Sequence, residues 1–265
     1  MILFDTHAHY DDPRFDGDRR AVLKSVFSDT PVRYITNVGT NFDTSRTSLE
    51  LAEQYDGMFA AVGVHPSDCL GAGDPNEGMT RLAAMLEHPK AVAIGEIGLD
   101  YHYDDTPRDV QAVWFEAQMR LAAQTGYPVI IHDREAHGDC MDMIRRFPEV
   151  HGILHSFSGS REMTAELVRR GWYISFSGVI TFKNASRVLE ALRAVPQDRL
   201  LIETDCPYLA PVPMRGKTNH SGYLLYTAEA AATVLGMETE ELCRITTENA
   251  LRVYRIGDMQ NMQTN

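Results

Sequence analysis

At 265 residues, 44% apolar and 23% charged, the chain has enough apolar side chains for a sizeable core, in one large domain or two small ones. A net charge of −12 counts against a broad basic surface for long nucleic acid, leaving any such contact to local Arg and Lys. Four scattered cysteines, Cys69, Cys140, Cys206 and Cys243, lack Cys-x-x-Cys spacing, which argues against a zinc ribbon or disulfide framework and fits a reducing compartment. With no basic-then-apolar leader and no apolar run near the ~18 residues of a spanning helix, the expected location is the cytoplasm.

Short β-rich runs alternate with amphipathic segments from one end to the other. Ile2, Leu3 and Phe4 lead into Asp5-Thr6-His7-Ala8-His9, a buried strand whose alternation turns His7 and His9 to one face. Residues 17–28 have helical spacing, 33–39 form a second strand, and 43–55 a helix opened by Asp43. A third strand over 58–65 stops at Pro66, and a loop over 67–75 leads to a helix over 79–87. The fourth strand covers 91–96, and Pro107 opens a long helix to 125. Strands over 128–132, 152–155 and 173–177 come next, with helices over 136–147, 161–170 and 187–194 following them in turn. The eighth strand is 200–205, and helices over 226–235 and 239–254 complete the pattern. The polar stretch 257–265 has no periodicity and is expected to be disordered.

Eight β-then-α units predict the α/β class and a (β/α)8 TIM barrel, as a single domain over 1–256. Near-continuous apolar strands suit helices outside and packed side chains within. A doubly wound open sheet is the competing arrangement.

Barrel active sites gather at the carboxyl ends of strands, and there one chemistry recurs. Strand one ends in His7 and His9, strand three in His65, strand four in Glu96, strand five in His132, strand six in His155, and strand eight in Glu203 and Asp205. His7, His9, Glu96, His132, His155 and Asp205 exceed the needs of one four-coordinate ion with an open position. They suit two divalent ions sharing a bridging carboxylate. Imidazole-rich ligation favours zinc or manganese over magnesium.

Several stretches resemble the TatD family of metal-dependent deoxyribonucleases, within the amidohydrolase-like barrels. They are Phe4-Asp-Thr-His-Ala-His9, Gly63-Val-His-Pro66, Gly95-Glu-Ile-Gly-Leu-Asp-Tyr101, Pro128-Val-Ile-Ile-His-Asp-Arg134, His155-Ser-Phe-Ser-Gly159 and Glu203-Thr-Asp-Cys-Pro-Tyr-Leu209. Arg215-Gly-Lys-Thr-Asn219 and Thr247-Glu-Asn-Ala250 match as well. The resemblance implies that His7, His9, Glu96 and Asp205 hold one ion, and Glu96, His132 and His155 the other. It implies hydrolysis of phosphodiesters, as a 3′-to-5′ exonuclease on single-stranded DNA, with magnesium as the family's usual ion. Glu96 would bridge the two ions, and Asp205, at the final strand end, is the expected proton acceptor. His65 and Arg134 would steady the phosphate, and Arg215 and Asn219 the nucleotide. Met214 and His220-Ser221-Gly222 depart from the family pattern, which leaves the preferred substrate open.

Other polar residues have blander explanations. Asp5 and Glu203 are expected to support ligands by hydrogen bonds, and Asp100 either to organise a loop or to join the site. Cys206 is expected to pack, and His151, His88, His102, His137 and His220 to be exposed or structural. The same ligand set also hydrolyses amides, lactones and carboxylic esters, an aminoacyl-tRNA ester included, and a metal-binding scaffold is the non-catalytic alternative. No membrane partner is expected, short or single-stranded DNA ends are the expected substrate, and a monomer is the default.

Overall fold

The computed structural model describes residues 1–103 and 105–257, so all of the expected tail except Gly257 lies outside the described residues. Its fold is the (β/α)8 barrel class expected from the sequence, with eight strands among the described residues. The strands are β1 (Leu3–Ala8), β2 (Val32–Val38), β3 (Met58–Val62), β4 (Ala91–Asp100), β5 (Val129–Arg134), β6 (Gly152–Leu154), β7 (Tyr173–Phe176) and β8 (Leu200–Ile202). The helices are α1 (Arg19–Asp29), α2 (Phe42–Gln54), α3 (Pro75–Leu86), α4 (Arg108–Thr125), α5 (His137–Arg146), α6 (Arg161–Arg169), α7 (Ser186–Ala194), α8 (Leu224–Leu235) and α9 (Thr239–Val253). Among the described residues no helix is long and apolar enough to cross a membrane. Contacts within the chain cluster into two compact units, one of Met1–Asn37 with His155–Val253, the other of Val38–Leu154 with the segment from Tyr254.

In the first unit β1 pairs with β2 and β7 with β8, both in parallel, and Ala8 bridges to Cys206 beyond β8. Every residue of β1 is buried, as expected of a strand covered on both faces. Helix α9 fastens the entrances of β1 and β8. Asn249 donates to the carbonyls of Gln197 and Leu200 at 2.7 and 2.9 Å, and Thr247 Oγ1 to that of Ile2 at 3.1 Å. The Thr-Glu-Asn-Ala stretch therefore positions the strands that lead to His7 and Asp205. Buried amide bonds of this kind contribute roughly 1 kcal/mol each and cost more when one partner is lost.

In the second unit β3 pairs with β4, β4 with β5 and β5 with β6, all in parallel. Helix α3 begins four residues before the predicted 79, because Pro75 takes its first turn. Asp74 caps that turn, accepting from the N–H groups of Asn76 and Glu77. Strand β4 runs to Asp100, past the predicted end at 96, through a register shift between Ile94 and Ile97. Gly98 makes the extension possible. Its φ is +139, and a Cβ there would lie 2.0 Å from the His132 carbonyl oxygen.

Helix α4 buries Trp114, Phe115 and Leu121 of the four positions expected to pack, while Val110 is half-buried. It also buries two glutamines that hold backbone. Gln111 accepts from Asp100 N–H and donates to the Asp100 carbonyl, both at 2.9 Å. Gln118 takes the N–H of Val64 at 2.8 Å and donates to its carbonyl at 3.0 Å. Two turns apart on one face, they fix the backbone of Asp100 and of the residue before His65.

Candidate metal centre

Each unit carries one cluster of imidazoles and carboxylates. The first comes from the end of β1 and the segment after β8. His7 Nε2 and His9 Nε2 stand 3.0 Å apart, and Asp205 Oδ1 lies 3.8 and 3.4 Å from them. Bonds of about 2.0–2.1 Å place neighbouring donors about 2.9–3.4 Å apart around one ion; two of the three separations lie in that range, and a divalent cation held by His7, His9 and Asp205 would draw the longer His7–Asp205 pair together. Burial opposes the charge on Asp205, yet the imidazoles of His9, His155 and His7 outweigh it and hold the carboxyl below its ordinary range. The ring of His155 stacks on that of His7 at 4.0 Å between centroids.

Strand β8 ends at Ile202, so Glu203, Thr204 and Asp205 follow it as extra-strand backbone, with Asp205 at a φ of 56. Such a left-handed residue costs of order 1–3 kcal/mol and persists where neighbours over-determine it. Here they do. Asp5 accepts from Thr204 N–H at 2.9 Å and from its hydroxyl, Asp205 N–H donates to the His7 carbonyl at 2.9 Å, and Asn219 donates to the Thr204 carbonyl at 2.9 Å. Asp5 thus holds the loop that presents Asp205. Burial pushes its carboxyl up to about 6 against the opposing bonds of Thr204. Glu203 Oε1 accepts from Ser156 N–H at 2.6 Å and lies 3.3 Å from His155 Nδ1, which leaves the Nε2 face of that ring for a ligand role.

The second cluster comes from β4, β5 and the segment after β3. His132 lies between two carboxylates, with Nδ1 2.8 Å from Glu96 Oε1 and Nε2 3.0 Å from Asp100 Oδ2. His65 Nε2 is 3.7 Å from Glu96 Oε1, and its ring meets that of His132 edge-on at 4.5 Å. His65, Asp100 and His132 bring one donor atom each within 4.8 Å of one another. Glu96 sits in the shifted part of β4, its N–H bonded to the Gly39 carbonyl at 2.9 Å. Burial opposes the charge on Asp100, but His132 and the N–H groups of Tyr103 and His102 prevail and hold it down at about 2.

The structure thus gives His65 a place among ligand-type groups, where the sequence suggested a phosphate contact. Asp100, left between loop and site, faces His132. Arg134, two residues beyond His132, is exposed, with its guanidinium carbon 4.8 Å from the centroid of Tyr103. Arg215 is exposed and covers Phe182 at 4.0 Å. Asn219 departs from its expected contact with a nucleotide. It is fully buried, and its amide is committed to the carbonyls of Thr204 and Tyr208. Among residues the sequence did not single out, Gln111 and Gln118 hold backbone beside ligands. Their signal is a polar residue on the apolar face of a helix. The departing residues His220 and Ser221 have local tasks. His220 Nδ1 accepts from Gly222 N–H at 3.1 Å, and Ser221 bonds the Tyr10 hydroxyl at 2.9 Å.

Comparison with known proteins agrees with this chemistry. The model of a family described as TatD related DNase matches residues 4–255. The chain is 41% identical over 258 residues to the uncharacterized metal-dependent hydrolase YabD of Bacillus subtilis (strain 168), covering 97% of this chain and 100% of that protein. It is 36% identical over 272 residues to the uncharacterized metal-dependent hydrolase YcfH of Escherichia coli (strain K12), covering 100% and 99%. Among solved structures, YJJV, a TatD homolog from Escherichia coli K12, gives a TM-score of 0.88 at 29% identity, covering 96% of this chain and 98% of that one.

Proposed function

The chain belongs to the TatD family of metal-dependent hydrolases, and on that premise we propose that it is a phosphodiesterase that trims single-stranded DNA from the 3′ end. The observation that carries this reading is the pair of imidazole–carboxylate clusters, one donor set in each unit. We assign one divalent ion to each, zinc or manganese by donor type and magnesium by family habit: His7, His9 and Asp205, with His155 beside them, would hold one, and His65, Asp100 and His132, with Glu96 beside them, the other. Bound there, divalent ions supply Lewis acidity toward a phosphate oxygen and lower the pKa of an attacking water.

The chain's own residues do the rest. Asp205, held ionised by the surrounding imidazoles, accepts the proton of the attacking water at a carboxylate oxygen. Glu96 keeps its place through the shifted backbone of β4 and its contact with His132. Arg134 and Arg215, both exposed, offer planar forks to phosphate oxygens. The acidic chain as a whole favours short or single-stranded ends over a long duplex track.

The test is end-labelled single-stranded DNA incubated with protein loaded with zinc, manganese or magnesium, its metal content measured by elemental analysis. Stepwise loss of 3′ nucleotides is expected, with Arg134→Ala and Arg215→Ala each raising KM about tenfold. No cleavage with any of the three ions overturns the reading. Cleavage of an aminoacyl ester or lactone, unaffected by the two arginine substitutions, assigns the site to another bond.

A further inference from the structure

Beside the first cluster stands a large aromatic side chain that the chemistry above leaves without a task. Tyr208 is 46% exposed, and its ring meets His9 edge-on, 6.4 Å between centroids at 78°. The guanidinium carbon of Arg14 lies 4.0 Å from the centroid of the ring. We propose that Tyr208 and the Arg14 lying over it form a stacking platform for one nucleobase of the substrate. This rests on the phosphodiesterase reading above and names the part of the substrate that the chain recognises besides phosphate.

Three observations support a platform. The backbone is held on both sides of the ring: Tyr208 N–H donates to the Asp205 carbonyl at 2.9 Å, and Asn219 donates to the Tyr208 carbonyl at 2.7 Å. The flanking Asp205 and Leu209 both take left-handed φ values, 56 and 51, so a costly loop conformation presents an exposed ring next to a ligand. The side chains are fixed as well. The Tyr208 hydroxyl donates to Asp12 Oδ2 at 3.0 Å, and Arg14 grips the same carboxylate through Nε to Oδ1 and Nη2 to Oδ2, both 3.1 Å.

Charge decides between a phosphate clamp and a stacking surface. Asp12 takes Arg14 bidentately, and the pair sums to zero. Burial opposes the charge on Asp12, but its bonds to Arg14 and Tyr208 keep it ionised. An arginine so neutralised offers a phosphate little net attraction. It still offers a flat, weakly hydrated plane that stacks on aromatic rings. Every base has such a face, so the platform accepts any of them and rejects a sugar without a base.

The experiment compares hydrolysis of a thymidylyl dinucleotide with its two analogues that each lack one base, using the full chain loaded with metal. KM for one analogue is expected to exceed that of the intact dinucleotide by about tenfold, with kcat within about twofold. Tyr208→Ala and Arg14→Ala should erase that preference, and Tyr208→Phe should keep it. Equal KM for all three substrates, or a preference that survives Tyr208→Ala, overturns the platform and leaves the phosphodiesterase reading standing. Failure of all three to react overturns that reading and the platform with it.

Discussion

His7 and His9 bring two ring nitrogens within 3.0 Å of each other beside Asp205, whereas His132 has a carboxylate oxygen on each of its ring nitrogens. The two clusters pair the same donor types differently. In the first, His7 Nε2 meets His9 Nε2 and His9 meets Asp205, while Asp5, Asn219 and Glu203 hold the surrounding backbone and the neighbouring His155. In the second, the hydrogen bonds run from ligand to ligand, and helix-borne glutamines fix the backbone of Val64 and Asp100. A cation entering the first cluster replaces the contact between two imidazoles. One entering the second must release a His132 nitrogen from its carboxylate. The lesson is that a similar donor inventory can be joined imidazole to imidazole or imidazole to carboxylate, and that an ion enters either by replacing internal hydrogen bonds.

That contrast can be broken most directly by deleting a carboxylate from each side. Asp205→Ala and Glu96→Ala are each expected to lower hydrolysis of the best substrate about a thousandfold, with far-UV circular dichroism unchanged. A variant that keeps the wild-type rate removes its cluster from the chemistry. A smaller effect is expected where support acts through another residue. Glu203→Gln should weaken retention of one ion about 10–100-fold in competition with a chelator, without moving the other. Equal weakening of both ions would erase the distinction between the clusters.

The smallest effect is in pH dependence, and the two clusters have opposite signs. Burial raises the folded carboxyl of Asp5 to about 6 from 3.8, so its ionisation opposes folding, and that penalty fades as pH falls from 6 towards 3.8. The folded carboxyl of Asp100 is depressed to about 2 from 3.8, so its contribution is present above 3.8 and is lost as pH falls towards 2. Melting temperatures of chelator-treated protein should therefore flatten in the upper window for Asp5→Asn and in the lower window for Asp100→Asn. An Asp5→Asn profile parallel to wild type between pH 3.8 and 6 would contradict the assignment.

Much of this was legible in the residues. Strand phase turns His7 and His9 to one side, and the alternation of strand and helix alone implies the barrel class. Glu96 was legible as a residue but not in its setting. Gly95 and Gly98 look like the end of a strand, while the chain uses Gly98 to keep β4 running against the His132 carbonyl. The contact between Asp100 and His132 follows from that extension and was hidden with it. Asn219 misled for a different reason. An amide in a polar loop suits a ligand or a buried carbonyl equally well, and only three-dimensional closure assigns it to Thr204 and Tyr208. Tyr208 carried no periodic signal at all, because its exposure is set by two left-handed residues in a loop.

The bonds that Asn249 makes to Gln197 and Leu200, and Thr247 to Ile2, have a consequence for the order of assembly. The unit holding His7, His9 and Asp205 is made from residues 1–37 and 155–253, and nearly all of the other from the continuous stretch 38–154. A growing chain meets the second set of contacts early and locally, while β1 waits for segments far along the sequence. No nascent chain shorter than 249 residues has the α9 clamp on β8. The histidines of β1 therefore gain part of their finished surroundings late, since the support that α9 gives β1 and β8 comes only with Thr247 and Asn249.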